Sequence, residues 1–293
     1  GETVSTAPNL KRLTLSRKLN SSNTEAMNAE PIGLMKNLNV LWLANNGITD
    51  LTPIGKCSLL TTLDLSNNNI SAPNANNDGL APLSNLQSLI CLMLDDNDIT
   101  TVRSLRKLTN LQELSLSNNK IGSVDALSPL TSLTYLDIDG NKLTAFNAGT
   151  FKNLYCLYLE NNNIEQLVSV GDLKNLYQLR LSYNNISNPD TYAEISKLNN
   201  LYYLSLSGNK IGSLSFLKDL TGLQQLEMDN AAIYQYYNVV NDKGEEEIKD
   251  NLDYLSGLTN LKILDISQNN DITSITALGS LTNLNALYMD GIH

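Results

Sequence analysis

The sequence predicts an α/β repeat solenoid, with short parallel strands on one face and 3₁₀-like or irregular returns on the other. Three observations carry this. The frame L-x-x-L-x-L-x-x-N-x-I recurs from Leu38, Leu60, Leu89, Leu111, Leu133, Leu154, Leu176, Leu201 and Leu223, with weaker copies from Leu10 and Leu261 and a truncated one from Leu284. The basic interval between successive starts is 22 residues, and the longer intervals read as insertions. At 293 residues the chain also exceeds the size at which one compact core divides, unless it grows by repetition along one axis.

Counting the first leucine of the frame as position 1, the apolar residues at positions 4 and 6 alternate as one face of a short strand, while positions 3, 5 and 7 point the other way. Beyond position 11 the apolar spacing becomes three, as in Ile121, Val124, Leu127, Leu130 and Leu133. That spacing suits a tight 3₁₀-like return better than an α-helix. Pro53, Pro82 and Pro129 fall in these returns, where a missing N–H disrupts no ladder. Cys57 replaces a core leucine there, as a small hydrophobe would.

Position 9 is an asparagine without a gap in eight successive repeats: Asn46, Asn68, Asn97, Asn119, Asn141, Asn162, Asn184 and Asn209. Where the chain leaves the strand, its backbone amides and carbonyls lie between neighbouring repeats and need partners. A side-chain amide both donates and accepts, so one asparagine per repeat builds a structural ladder. Lys18 and Ala231 break this column, each ahead of an irregular repeat, and local distortion is expected there.

The frame resembles that of leucine-rich repeat proteins of the 22-residue, internalin-like bacterial class, and the resemblance covers nearly all of the chain. It implies a right-handed horseshoe whose strands line the concave face, one domain over 1–293 of about twelve turns. It also implies a bacterial surface or secreted protein that recognises a protein or glycan ligand. Two insertions interrupt the period, near 71–79 and 234–250. The first, rich in Asn, Ala and Pro, reads as a plain surface loop. In the second, the β-prone run Tyr236 to Val240 is followed by the turn-forming Asn241 to Gly244, which predicts a protruding hairpin.

Because packing fixes the inner face, specificity must lie at positions 3, 5 and 7. These columns hold ten carboxylates and two arginines, so most of the chain's net charge of −10 sits on one surface. Tyr135, Tyr158 and Tyr203 lie in the columns, and Tyr155, Tyr177 and Tyr202 occupy position 2 of three successive repeats. With Arg180, Asp137, Asp139 and Glu160 they form the candidate ligand site. Tyrosine and arginine suit binding hot spots because they bury large area and keep a polar tip. Stacking between neighbouring repeats is the alternative role for the tyrosines. For the acids the alternatives are a solvated face and, at Asp137, Asp139 and Glu160, a calcium site.

Catalytic chemistry is missing. The one histidine, His293, ends the sequence, and no serine or cysteine has a histidine partner at a recognisable spacing. No phosphate loop or zinc spacing predicts a cofactor or metal. The anionic balance, thirty acidic against twenty basic residues, argues against nucleic acid and for a partner with a basic surface. No apolar run is long enough to span a bilayer. Cys91 and Cys156, both at position 3 and three turns apart, are too far apart for a disulfide. The start at Gly1, without methionine, fits a processed secreted protein or a trimmed chain equally. The reading is a non-enzymatic recognition protein, extracellular or at the cell surface. The alternative is a cytoplasmic regulatory scaffold that docks an enzyme.

Overall fold

The computed structural model describes residues 9–16, 26–72, 78–241 and 243–292. The chain forms two compact units, Gly1–Leu143 and Thr144–His293. In the first, each coil contributes one three-residue strand: β1 (Arg12–Thr14), β2 (Val40–Trp42), β3 (Thr62–Asp64), β4 (Cys91–Met93), β5 (Glu113–Ser115) and β6 (Tyr135–Asp137). They pair in parallel in that order, with Leu13, Leu41, Leu63, Leu92, Leu114 and Leu136 in register. The register follows from the frame, since a slip of one residue would turn every leucine outward. Leu41, Leu63, Leu92, Leu114 and Leu136 are fully buried, each contributing about 1.5–3 kcal/mol of apolar transfer. The returns are 3₁₀ turns, among them Ile54–Lys56, Ala81–Asn85, Arg103–Lys107 and Asp125–Leu127. Cys57 lies fully buried among them, its thiol donating to the Ile32 carbonyl at 3.3 Å.

The second unit opens with β7 (Ala145–Asn147), β8 (Cys156–Tyr158), β9 (Gln166–Val168), β10 (Gln178–Arg180), β11 (Tyr203–Ser205) and β12 (Gln225–Glu227). It continues through β13 (Tyr236–Val240), β14 (Glu246–Asp250), β15 (Ile263–Asp265) and β16 (Ala286–Tyr288). Strands β8, β10, β11, β12, β15 and β16 form its parallel stack, in that order. Two departures from the expected return appear here. β7 and β9 pair in parallel, because Phe146 and Leu167 are buried between exposed neighbours and the alternation makes a strand. In the 25-residue repeat the return is α-helical, α1 (Pro189–Ile195), not a 3₁₀ turn. The added residues supply the signals: Asn188 caps the helix by accepting from the Asp190 N–H at 2.9 Å, and proline begins it. Tyr192 then buries its ring against Phe216, with centroids 4.9 Å apart, and donates its hydroxyl to the Ile186 carbonyl.

The asparagines do what their position requires. Asn119 is buried, donates to the carbonyls of Leu94, Leu116 and Ser117 at 2.9–3.1 Å, and accepts from the Ile99 N–H at 3.0 Å. Each such amide therefore ties its own turn to the preceding coil. The ladder extends to Asn269, at position 9 of the copy from Leu261, which donates to the Met228 carbonyl. It also accepts from Ala231 and Ile233. At Ala231 the distortion is specific: its backbone carbonyl receives the Ile211 N–H at 2.9 Å, the role a ladder side chain would fill, and Ala232 follows at φ 53°. Lys18 lies outside the described residues.

Position 8, just before the ladder, is left-handed throughout the described repeats. Asn45, Asn67, Asp96, Asn118 and Gly140 occupy it in the first unit, and Asn161, Tyr183, Gly208, Asn230, Gln268 and Gly291 in the second, with φ between 47° and 73°. The recurrent Asn-Asn pair is thus two devices: the first residue tolerates positive φ and the second bonds the neighbouring coil.

The insertions leave the stack at the returns. β13 and β14 pair antiparallel, and Asn241 closes their turn by accepting from the Lys243 and Glu245 N–H groups at 3.0 Å each. The base is fastened by two buried side chains. Gln235 donates to Asp250 and accepts from the Thr273 and Ser274 N–H groups, while Asn251 donates to the carbonyls of Gly212 and Tyr234. Most of the first insertion lies outside the described residues, but Asp78, near its end, is not part of a plain surface loop. It is buried, and its carboxylate accepts from Leu80 and Ser104.

Asn119→Ala leaves buried backbone groups without partners, so urea denaturation should show a loss of ~1–3 kcal/mol. A loss below about 0.5 kcal/mol would contradict the ladder's role. Replacing Tyr236 to Lys249 by a short Gly-Ser linker keeps Gln235 and Asn251, and the melting temperature by circular dichroism should fall by less than about 5 °C.

Candidate functional site

The sequence-predicted residues fall on the outward face of both units. In the first, Tyr135 lies on β6 with its hydroxyl donating to Asp137 at 3.3 Å, and Asp137 accepts from the Asp139 N–H at 3.0 Å. Both residues of β6 also line a cleft of about 490 Å³ with Cys91, Met93, Asp95, Glu113, Ser115 and Ser117. Asp95 is held rigidly, one oxygen accepting from the Ser115 hydroxyl and from the hydroxyl and N–H of Ser117 at 2.5–2.8 Å. Burial, followed by the charge of Glu113, pushes the Cys91 thiol up to about 11, so it stays protonated and unreactive at neutral pH.

In the second unit the tyrosines divide into two groups. Tyr155, Tyr177 and Tyr202 stack face to face, with successive centroids 4.8 Å apart and interplanar angles of 7° and 11°. That spacing is the interstrand distance, so the row is set by the sheet beneath it. Tyr155, at its end, is about half exposed. The second group is centred on Arg180, whose guanidinium lies 4.2 Å from the Tyr158 ring centroid and 5.3 Å from that of Tyr203. Neighbours fix both rings: Tyr158 donates to Gln178 at 2.6 Å and Tyr203 to Glu227 at 2.8 Å. Burial and the Glu227 carboxylate raise the Tyr203 hydroxyl's pKa well above the ordinary tyrosine value, which keeps it a donor. Glu160 accepts from Ser205 at 2.5 Å, and Ser205 accepts from Ser182. Ser182, Ser205 and Ser207 are buried.

Tyr183 was missed by reasoning from columns 3, 5 and 7. It occupies position 8 with φ 57°, although about half of its surface is exposed. Its ring lies over Gly208, where an added Cβ would come within 2.7 Å of the ring. The Asp229 charge, then burial and the charges of Glu160 and Asp265, raise its hydroxyl pKa. A tyrosine in a column of Asn, Asp and Gly was the signal available in the sequence.

Among the described residues no group of three His, Cys, Asp or Glu side chains is placed to hold a metal ion. Cys57, Cys91 and Cys156 are free thiols. No helix among the described residues is long and apolar enough to cross a membrane.

Comparison with known proteins agrees with this geometry. The family described as "Leucine Rich repeats (2 copies)" matches residues 36–78, 85–129 and 109–148, and that described as "Leucine rich repeat" matches 131–186. The chain is a leucine-rich repeat protein. More particularly, it is internalin-like: it is 28% identical to an internalin, InlF, from Listeria monocytogenes, covering 91% of this chain and 71% of that one with a TM-score of 0.78. A Leptospira interrogans leucine-rich repeat protein shares the fold at 24% identity, covering 98% and 79% of the two chains, with a TM-score of 0.73. A plant peptide hormone receptor, solved in complex with RGF2, shares it at 23% identity and a TM-score of 0.57, over 96% of this chain and 55% of that one. No curated protein matches in sequence.

Left-handed backbone costs a bulky residue about 1–2 kcal/mol, much of which asparagine avoids. Tyr183→Asn should therefore stabilise the fold by about 0.5–1 kcal/mol in urea titration. A net loss would mean that the ring's contact with Gly208 outweighs the strain.

Proposed function

We propose that the chain is a non-enzymatic recognition module that binds a protein ligand on the outward face of its strands. The observation that carries this is the Arg180 cluster. A guanidinium held between two tyrosine rings, whose hydroxyls are already bonded to Gln178 and Glu227, is a preorganised surface. Ordering such side chains before contact removes part of the entropic cost of association. Aromatic and arginine side chains are also those that dominate measured interface energies. The acids beside the cluster, Glu160 and Glu227, favour a partner with a basic surface. The plant receptor with the same fold, solved with its ligand, supports a recognition role. The likeness to InlF supports placement at a bacterial surface or outside the cell.

A partner isolated from host or bacterial surface extracts provides the test, by surface plasmon resonance at two salt concentrations. Tyr158→Ala and Arg180→Ala should each weaken binding by about 2 kcal/mol, mainly through faster dissociation. Asp64→Lys, on β3 of the first unit, should chiefly slow association and reduce its salt dependence, since exposed charges are screened beyond ~10 Å at 0.1 M salt. Binding unchanged in Tyr158→Ala and Arg180→Ala but abolished by Lys152→Glu on the return side would overturn the reading.

A further inference from the structure

We propose that the cleft on the outward face of the first unit is a pocket for one basic side chain, lysine or arginine, of the protein partner; this rests on the recognition reading above. The shape comes first. About 490 Å³ lies open between β4, β5 and β6, within the range of small-ligand sites. Its floor is apolar and polarisable: Cys91 and Met93 project from β4, and Tyr135 stands on β6 as one wall. Sulfur-bearing side chains of this kind adapt to an aliphatic stem, and lysine and arginine carry one beneath their charge.

The rim then selects the head group. Asp95, Glu113 and Asp137 line the cleft, and no lysine or arginine does. Glu113 lies on the exposed side of β5 beside the Cys91 thiol, which burial first, and then the charges of Glu113 and Asp64, hold in its protonated form. Asp95 is locked by Ser115 and Ser117 through one oxygen, while its other oxygen receives only a long contact of 3.4 Å from Ser66. A cation seated here would meet carboxylates already in place beside the Tyr135 side chain. An anionic group is excluded by charge. An uncharged apolar side chain would cover the carboxylates and take their hydration without replacing it. A second copy of the chain is a poor occupant, because at net charge −10 two acidic faces repel.

Methionine methyl NMR tests this without the partner. The chain holds five methionines, and Met93 is assigned by the loss of its signal in Met93→Leu. The probes are Nα-acetyl-lysine methylamide and Nα-acetyl-arginine methylamide, with Nα-acetyl-norleucine methylamide as the uncharged isostere. Either cationic probe should shift the Met93 methyl saturably in the millimolar range, where single side chains bind. Norleucine should do so at least fivefold more weakly, and Glu113→Gln should weaken the cationic probes at least threefold. Because Glu113 is exposed, the remaining methyl positions will confirm that this variant is folded. A Met93 methyl that stays unmoved up to ~50 mM probe, or that responds equally to norleucine, overturns the proposal. The two readings fail separately. A silent cleft with partner binding that still depends on Tyr158 removes only the pocket, whereas a responsive cleft with binding indifferent to Tyr158 and Arg180 removes the tyrosine–arginine site.

Discussion

The structure depends on one side-chain amide per coil. A chain that leaves a short strand and turns back must expose several N–H and C=O groups to the coil beside it, in a space too dry for water to satisfy them. Asparagine at position 9 resolves this in two directions at once, as Asn119 does by bonding its own turn and the preceding coil. The amide can reach only if the backbone has just turned left-handed at position 8, so the two positions act together. This coupling makes the coil regular on the strand side and permissive on the return side. The hairpin, the capped helix α1 and the β7–β9 ladder all emerge from returns, where they leave the amides untouched. Where the amide is absent, at Ala231, a backbone carbonyl takes its place and the neighbouring Ala232 is forced to positive φ.

The same constraint decides where recognition can occur. Leucines at positions 4 and 6 are committed to the core and position 9 to the ladder, so chemical variety is confined to the outward positions. There the side chains are largely bonded to one another. Glu160, Ser205 and Ser182 form one chain of hydrogen bonds, and Tyr203, Glu227 and Gln225 another. Such networks fix the shape of the face, so a partner meets a surface that needs little rearrangement.

Most of the architecture was legible because periodicity is a property of sequence. The leucine and asparagine columns specify strand, register and ladder, and even Asn269, left out of the predicted ladder, sits at the position the frame from Leu261 dictates. The hairpin was legible from the β-prone Tyr236 to Val240 run and the turn residues after it. Less legible was whatever depends on competition between local and neighbouring contacts. Three added residues with Asn188 and Pro189 were enough to convert one return into α1, and alternation at Phe146 and Leu167 made strands of two others. The columns named Cys91, Met93, Asp95 and Glu113 as outward, but depth between strands depends on how neighbouring side chains lean. The sequence already set the position 2 tyrosines apart and offered stacking as their role, but not which of the column tyrosines would enclose Arg180.

These constraints meet at Tyr183. Position 8 is where the fold asks for Asn, Asp or Gly, since the turn that delivers the ladder amide runs through positive φ. A tyrosine there opposes the fold's own requirement, and the next coil accommodates it with Gly208, leaving the ring no Cβ to strike. Two positions have therefore adapted to keep an aromatic ring half exposed among Asp229, Glu160 and Asp265. Strain of this kind persists only where the surroundings over-determine it, and it is concentrated at sites that bind or switch. The ladder supplies that over-determination here: Asn184, the next residue, donates to the carbonyls of Leu159 and Leu181 and holds the backbone whatever side chain precedes it. The device that makes the coil regular is thus what lets one coil carry an irregular, exposed aromatic beside the Arg180 cluster.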